Sequence, residues 1–443
     1  MVLIYVKNTS PRLQYIAHFI FKEIIKTPYA ITSHEESFRD FDGIKINYSS
    51  KKISDKELKV VDCGLLFQQG ITEQPIEIFE VDGIKAFFRS PSFEPSEVSN
   101  EFPFDIFSAS FYLLSRYEEY LPHQKDEFGR YDHHGSLAYK NEFLQLPLVN
   151  IWIGIFSKWL HEKNPGLMAQ ASSFKYIPTY GIDIAYAYRH RGAAKNIAGS
   201  LQSVVRLNLN IIRERIRVLR GKQKDPFDNY DWLIQLHTSR NMQPVYFFLM
   251  AAKNSRYDKN IRADTRAMQQ LVVYHAEKYS IGLHPSYYTV DDPSLLKEEK
   301  KKLESITGLR IRKSRQHYIR FNLPQGYRNL IEAGFESDYS MGYGSINGFR
   351  ASVASTHYWY DLSAEKQTKL QIHPFCYMDS TPIFEKKIKA AEAYNEMLYY
   401  FNTCKAVNGT MITIFHNHFL GDDKIEWRNI YEKFLDKIVT LGR

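Results

Sequence analysis

The sequence predicts an α/β fold in which a barrel of parallel strands and covering helices follows a smaller α/β domain. Three observations predict it. From Phe174 onward, short apolar runs alternate with amphipathic helical segments, the pattern of a parallel sheet covered by helices. Most of these runs lead to a polar residue able to do chemistry, as in a βα barrel whose active site lies at the C-terminal ends of its strands. The chain, at 443 residues, has room for a leading unit, and about seven strand candidates over roughly 250 residues suit a barrel, closed or incomplete, better than a doubly wound sheet.

The leading α/β unit is assigned to residues 1–165. Val2 to Val6 reads as a buried strand, and Ser10-Pro11 supplies the cap and first-turn residues of a helix with Leu13, Ile16 and Ile20 at helical spacing. Val60, Val61, Leu65 and Leu66 mark another strand region. Pro103 to Tyr120 predicts a helix with Phe107, Phe111 and Leu114 on one face. Lys163-Asn164-Pro165-Gly166 is the linker signal, and the barrel is assigned to residues 174–443. There, Tyr176 to Ile182 runs into Asp183, Pro244 to Leu249 is a plain buried strand, and Ile281 to Leu283 runs into His284. Gly308 to Ile311 leads to Arg315 and His317, Gly348-Phe349 to Arg350, Leu370 to Phe375 toward Asp379, and Met411 to Phe415 into His416. Arg266 to Tyr279 and Glu426 to Val439 carry helical apolar spacing between and after these runs.

Composition narrows the function. A 44% hydrophobic and 24% charged chain is globular, not disordered or a disulfide miniprotein. Cys63, Cys376 and Cys404 have no metal-type spacing and read as reduced thiols. The formal charge of +8 is mild for this length and implies no nucleic acid partner. The start of the chain shows no secretory leader, and no apolar run is long enough to cross a bilayer, so a cytoplasmic location is expected. No phosphate loop, nucleophile elbow or dinucleotide fingerprint occurs. Aromatic residues make up 15% of the chain and tilt toward tyrosine, with 31 Tyr against 5 Trp. Nothing in the sequence specifies an oligomeric state.

A carboxylate after a strand, as at Asp183, is a metal ligand, a general base or a helix cap. Together with His284 and a third imidazole from His317, His416 or His418, it makes a His/carboxylate set for a divalent cation that activates water. Arg315 and Arg350 either orient an anionic group at the barrel mouth or tie strand ends together through ion pairs.

The runs Ser314-Arg315-Gln316-His317-Tyr318-Ile319-Arg320-Phe321, Asp338 to Tyr343 and Gly348-Phe349-Arg350-Ala351 resemble divergent bacterial polysaccharide deacetylases of the NodB-homology fold. Thr179 to Tyr186, Gly282 to Tyr287 and Phe415-His416-Asn417 share the resemblance. It covers nearly the whole chain and extends to Pro103 to Phe107, Arg116 to Tyr120 and Phe128-Gly129-Arg130 of the leading unit. It implies a distorted (β/α)7 barrel, a bound metal such as zinc, and removal of acetyl groups from a carbohydrate substrate. On it, Asp183 and His284 match metal ligands, His416 the general acid, and Arg350 or Arg315 the arginine that orients the base. The departures are Gly181, where the family has its base Asp, and Tyr288, where it has its second metal-binding His. His317 is the chemical replacement for that imidazole, and Asp338 is a candidate base if it reaches the site. These gaps leave open a non-catalytic sugar-binding or scaffold protein on the same barrel. Restoring an acid with Gly181→Asp is expected to raise activity if the base alone is missing.

Tyr287, Tyr288 and Tyr339, with Tyr180, Tyr186, Tyr318 and Tyr343, adjoin the strand-end motifs and are expected at the mouth, stacked on sugar. Leu201 to Lys224 interleaves basic with Ile/Leu positions. It reads as a solvated helix packed on its own domain through the apolar stripe, or as a surface for an anionic membrane or nucleic acid.

Overall fold

The computed structural model describes residues 1–93, 99–166 and 173–441. The apolar start of the chain forms β1 (Val2–Tyr5), which lies between β2 (Tyr29–Thr32) and β3 (Ile44–Asn47), with β4 (Leu58–Lys59) beyond β3. All of these pairings are parallel. Ser10 caps the helix Pro11–Ala17 by accepting from Leu13 N. No strand forms over Val60 to Leu66: pairing ends with β4 just before it, and Gly64 at φ 91° turns the chain into a short 3-10 segment, Leu65–Phe67. A hairpin, β5 (Phe79–Val81) with β6 (Ile84–Ala86), follows. The helix expected over Pro103 to Tyr120 stops at Leu114, where Arg116 at φ 56° breaks it.

Nine strands make the main sheet: β7 (Lys175–Ile182), β8 (Val245–Leu249), β9 (Ser280–His284), β10 (Lys313–Ser314), β11 (Ser337–Asp338), β12 (His357–Asp361), β13 (Lys366–Ile372), β14 (Tyr377–Met378) and β15 (Thr410–His416). Their order is β12-β13-β11-β10-β9-β8-β7-β15-β14, and every pairing is parallel except β12 with β13. The sheet curls strongly. Arg315, just past β10, donates from Nη1 to Thr179 Oγ1 on β7 at 2.5 Å, although three strand spacings on a flat sheet would separate them by about 14 Å.

The result is a curled, nine-stranded half-barrel with two edges, in line with the incomplete barrel expected. Its gap is crossed by the chain between β13 and β14, where Phe375 N donates to Met341 O and Cys376 N to Ile412 O. The run Gly308 to Ile311 is no strand, since Gly308 at φ 69° ends the helix Pro293–Thr307, and pairing begins at Lys313. Gly348-Phe349 is a turn whose Phe349 N bonds to Leu144 O of the leading unit. The segment around Leu201 to Lys224 forms two helices, Ala193–Val205 and Leu209–Leu219, whose apolar stripe faces solvent instead of packing on the domain.

The leading unit is welded to the half-barrel. One hydrophobic cluster runs through both parts. Within it Arg350 makes a two-pronged pair with Glu119, Nε to Oε1 at 2.8 Å and Nη2 to Oε2 at 2.6 Å. Arg116 adds Nε to Glu119 Oε1 at 2.7 Å. Burial pushes the Glu119 carboxyl up, but Arg350 and Arg116 outweigh it and hold the group at about 2. Replacing Glu119 by Gln takes the carboxylate partner from buried Arg350 and leaves Arg116 with Glu118 alone, so Glu119→Gln is expected to lower unfolding free energy by about 3–5 kcal/mol in urea titration.

Candidate active site

Asp183 follows β7 directly and lies on the face shared by Thr179 and Gly181, because strand side chains alternate. Asn260 pins this end by donating to Ile182 O (2.8 Å) and Leu249 O (3.2 Å) and accepting from Ala185 N (2.9 Å). Three imidazoles converge on the Asp183 carboxylate. His284 Nε2 is 3.1 Å from Oδ1, and His317 Nε2 and His416 Nε2 are each 3.4 Å from Oδ2.

Each ring is held from behind. His284 Nδ1 bonds to Arg315 O, His317 Nδ1 lies 2.9 Å from Asp258 Oδ1, and His416 Nδ1 lies 2.6 Å from Asp379 Oδ1. Asp379 also accepts from His416 N at 2.7 Å. Asp258 is fixed by Tyr287 N and Ser255 Oγ. This is the second-layer support that orients metal-binding histidines.

The ligand atoms are placed so that a cation could sit among them. A carbonyl oxygen only accepts, so His284 carries its hydrogen on Nδ1. Burial pushes His284 down to about 4 against the pull of Asp183, leaving a neutral ring whose Nε2 turns a lone pair toward the carboxylate. The facing Asp183 Oδ1 is buried and receives no hydrogen bond. At 3.1 Å the two atoms are joined either by a second proton on the ring or by a divalent cation shared between them. Asp183, His284 and His317 each offer a ligand atom, all within 4.8 Å of one another. For Asp183, burial pushes up, but His416, His284 and His317 outweigh it and hold the carboxyl well below its usual range. Burial also opposes the charge on His317 and His416, yet their carboxylate neighbours raise both, His317 to about 9.

The cluster opens on a cavity of about 380 Å³ lined by Phe128, Arg130, Tyr257, Tyr318, Phe384 and Phe419, with Arg315, Lys259, Glu385 and His418. Two of these come from the leading unit. Arg130 donates from Nη1 to Tyr318 O at 3.0 Å, and Phe128 O accepts from Tyr287 Oη at 3.1 Å. The contact braces backbone in the left-handed region, Tyr318 at φ 60° and Ile319 at φ 55°, a costly conformation for a β-branched residue.

Several expected site residues lie elsewhere. Arg350 is spent on Glu119 and does not line the cavity. Asp338 is buried away from it, accepting from Ser314 Oγ, Ser340 N and Ser340 Oγ, so it knits β10 to β11 and is no base here. Among the tyrosines, Tyr339 sits deeper, stacked on His373 at 4.3 Å, and Tyr287 lies behind the wall, stacked on Tyr257 at 3.9 Å. Tyr288 is exposed and outside the cavity lining, and Tyr180 points outward to His237 and Tyr431 because its parity is opposite to that of Asp183. Tyr318 is the expected tyrosine that does line the cavity. Sequence reasoning missed Asp258, Tyr257 and Arg130, which sit in loops without periodicity. It placed Asp379 beyond an apolar run but gave it no role, although a carboxylate just beyond a strand is the signal that marked Asp183.

The half-barrel with a His/Asp cation-type cluster at its strand ends is the class that fold and side chains define. A family model described as "Family of unknown function (DUF7033)" matches residues 2–165. No curated protein matches the chain. A Mycobacterium smegmatis protein described as a polysaccharide deacetylase is similar in structure at 11% identity, covering 62% of this chain and 87% of its own, with a TM-score of 0.40. The allantoinase Puue aligns at 11% identity over 60% of this chain and 84% of its own, TM-score 0.38. A polysaccharide deacetylase from Bacillus cereus aligns at 12% over 60% and 88%, TM-score 0.29.

Gly181 has a steric reason. A Cβ there would come 2.8 Å from His416 Cδ2 and 2.9 Å from Asp183 Oδ1. Gly181→Asp, the substitution the sequence invites, therefore collides with the cluster instead of restoring a base. Zinc titration by calorimetry is expected to show one site in the wild type, none in Asp183→Ala or His284→Ala, and about tenfold weaker binding in Gly181→Ala. Affinity should fall as the medium is acidified, since each imidazole must be neutral to coordinate.

Proposed function

We propose that the protein is a metal-dependent hydrolase that removes acetyl groups from an acetylated sugar or glycan. The observation that carries this is the unpartnered Asp183 Oδ1 facing His284 Nε2, beside His317, at the floor of an aromatic-walled cavity. Asp183, His284 and His317 would hold the cation, zinc in this reading. Bound there, it would supply Lewis acidity and a water of lowered pKa.

The chain's own groups do the rest. Tyr318, Tyr257 and Phe128 offer ring faces on which a sugar can stack, and Lys259 and Glu385 offer polar contacts to hydroxyl or amide groups. Arg315 is buried at the cavity wall, and its Nη2 has no partner, so it can donate to the acyl oxygen as charge develops there. His416 carries its proton toward the cavity on Nε2, with Asp379 holding Nδ1, and can hand it to the departing amine or alkoxide.

Among the described cavity residues the carboxylates are Asp183 and Glu385, and no contact ties Glu385 to the cluster in place of the base that the resemblance puts at Gly181. That favours a second reading, a sugar-binding protein on the same scaffold. The test is acetate release from N-acetylglucosamine oligomers by zinc-loaded protein. Release that stops on chelation, returns with zinc, and drops about 10²–10⁴-fold in kcat with His416→Ala is expected. Zinc and oligomer binding without acetate selects the second reading.

A further inference from the structure

The hairpin that follows Asp183 takes no part in this chemistry. Its helices, Ala193–Val205 and Leu209–Leu219, reverse at Leu207, φ 54°. Buried Arg215 clasps them together, donating from Nη1 to Ser200 Oγ at 2.8 Å and Asn196 O at 3.3 Å. Asp225 fastens the base by accepting from the amides of Ala187, Tyr188 and Arg189.

The hairpin leaves its apolar stripe uncovered. Ile197, Leu201 and Val205 on the first helix, and Leu209, Ile216 and Leu219 on the second, are exposed, and at the tip Val205 and Leu207 are 83% and 87% accessible. Arg213, Arg217 and Arg220, all exposed, follow at helical spacing immediately beside the second stripe. Between Ala193 and Lys224 there are eight basic residues and one acid, a net +7 against +8 for the whole chain. The single acid, Glu214, is tied to Tyr188 Oη at 2.7 Å. The charge that looked mild when spread over the chain is concentrated around one greasy face.

We infer that this hairpin docks the protein on an anionic lipid surface. Apolar side chains at its tip enter the acyl boundary while the flanking guanidiniums meet lipid phosphates. Among the described residues no helix is long and apolar enough to cross a membrane, so the contact is interfacial. The hairpin leaves the strand end that carries Asp183, and Arg191 at its base donates to the carbonyl of Lys259, a cavity residue. Docking therefore brings the cavity beside the bilayer. The inference stands apart from the deacetylase reading.

Flotation of the full-length protein with vesicles tests it. Binding is expected to phosphatidylcholine vesicles containing roughly one third phosphatidylglycerol and not to pure phosphatidylcholine, and to weaken as salt rises from about 0.05 to 0.5 M. The double variant Val205→Glu/Leu207→Glu should lose at least about tenfold in binding, with Tm unchanged because both side chains are solvent-exposed. Arg213→Glu/Arg217→Glu should lose the preference for anionic lipid. Wild-type protein that stays unbound at low salt, or binding indifferent to the tip glutamates, would overturn the inference. So would a wild-type dimer that ignores vesicles and is split by those glutamates, since the stripe would then cover a second copy.

Discussion

The structure turns on one buried cluster, the Asp183 carboxylate ringed by three imidazoles that offset the cost of its burial and hold it ionised. Bringing Asp183 within 3.4 Å of His284, His317 and His416 requires groups from several positions of the sheet to meet on its concave side. A flat sheet cannot do that. The curl, the Thr179–Arg315 bond across the interior and the glycine at 181 all serve the same close approach. The backing groups complete it. Arg315 O, Asp258 and Asp379 each fix one Nδ1, so each ring is oriented through its rear nitrogen and its front nitrogen is left for the centre.

The leading unit belongs to this centre as well. Arg130 holds the carbonyl of Tyr318 in a stretch of left-handed backbone immediately after His317, and Phe128 walls the cavity. The Glu119–Arg350 pair anchors the same unit to the half-barrel from within the shared core. A buried two-pronged ion pair is a poor source of net stability compared with apolar packing, but its geometry allows little slippage. Register between the two parts is what the cavity wall needs, because its lining residues come from both.

Expectation and structure part at identifiable places. Asp183, His284 and His416 were legible because each follows an apolar run at a strand end, and His317 because the resemblance left an imidazole to be replaced. Arg350 and Asp338 were drawn from the same resemblance, yet in the fold Arg350 pairs with Glu119 and Asp338 accepts from Ser314 and Ser340. Short strands such as β11 and β14, two residues each, leave no periodicity to read. The basic amphipathic segment was legible as helix, and its two faces were evident. Whether its stripe met the protein or the solvent was not, because amphipathicity states that a face needs covering and not by what.

By itself the sequence determined local facts: alternating apolar runs, helix caps at Ser10 and elsewhere, reactive residues beyond strands, and the clustering of positive charge between Ala193 and Lys224. These depend on neighbours a few residues away. Tertiary structure alone decided that three histidines meet one aspartate, that Asp379 and Asp258 stand behind them, that Tyr180 faces away, and that Gly181 leaves room for an imidazole and not for an acid. The physical reason is that such contacts join residues tens to hundreds of positions apart. Their geometry is set by strand order and sheet curvature, and no local pattern records either.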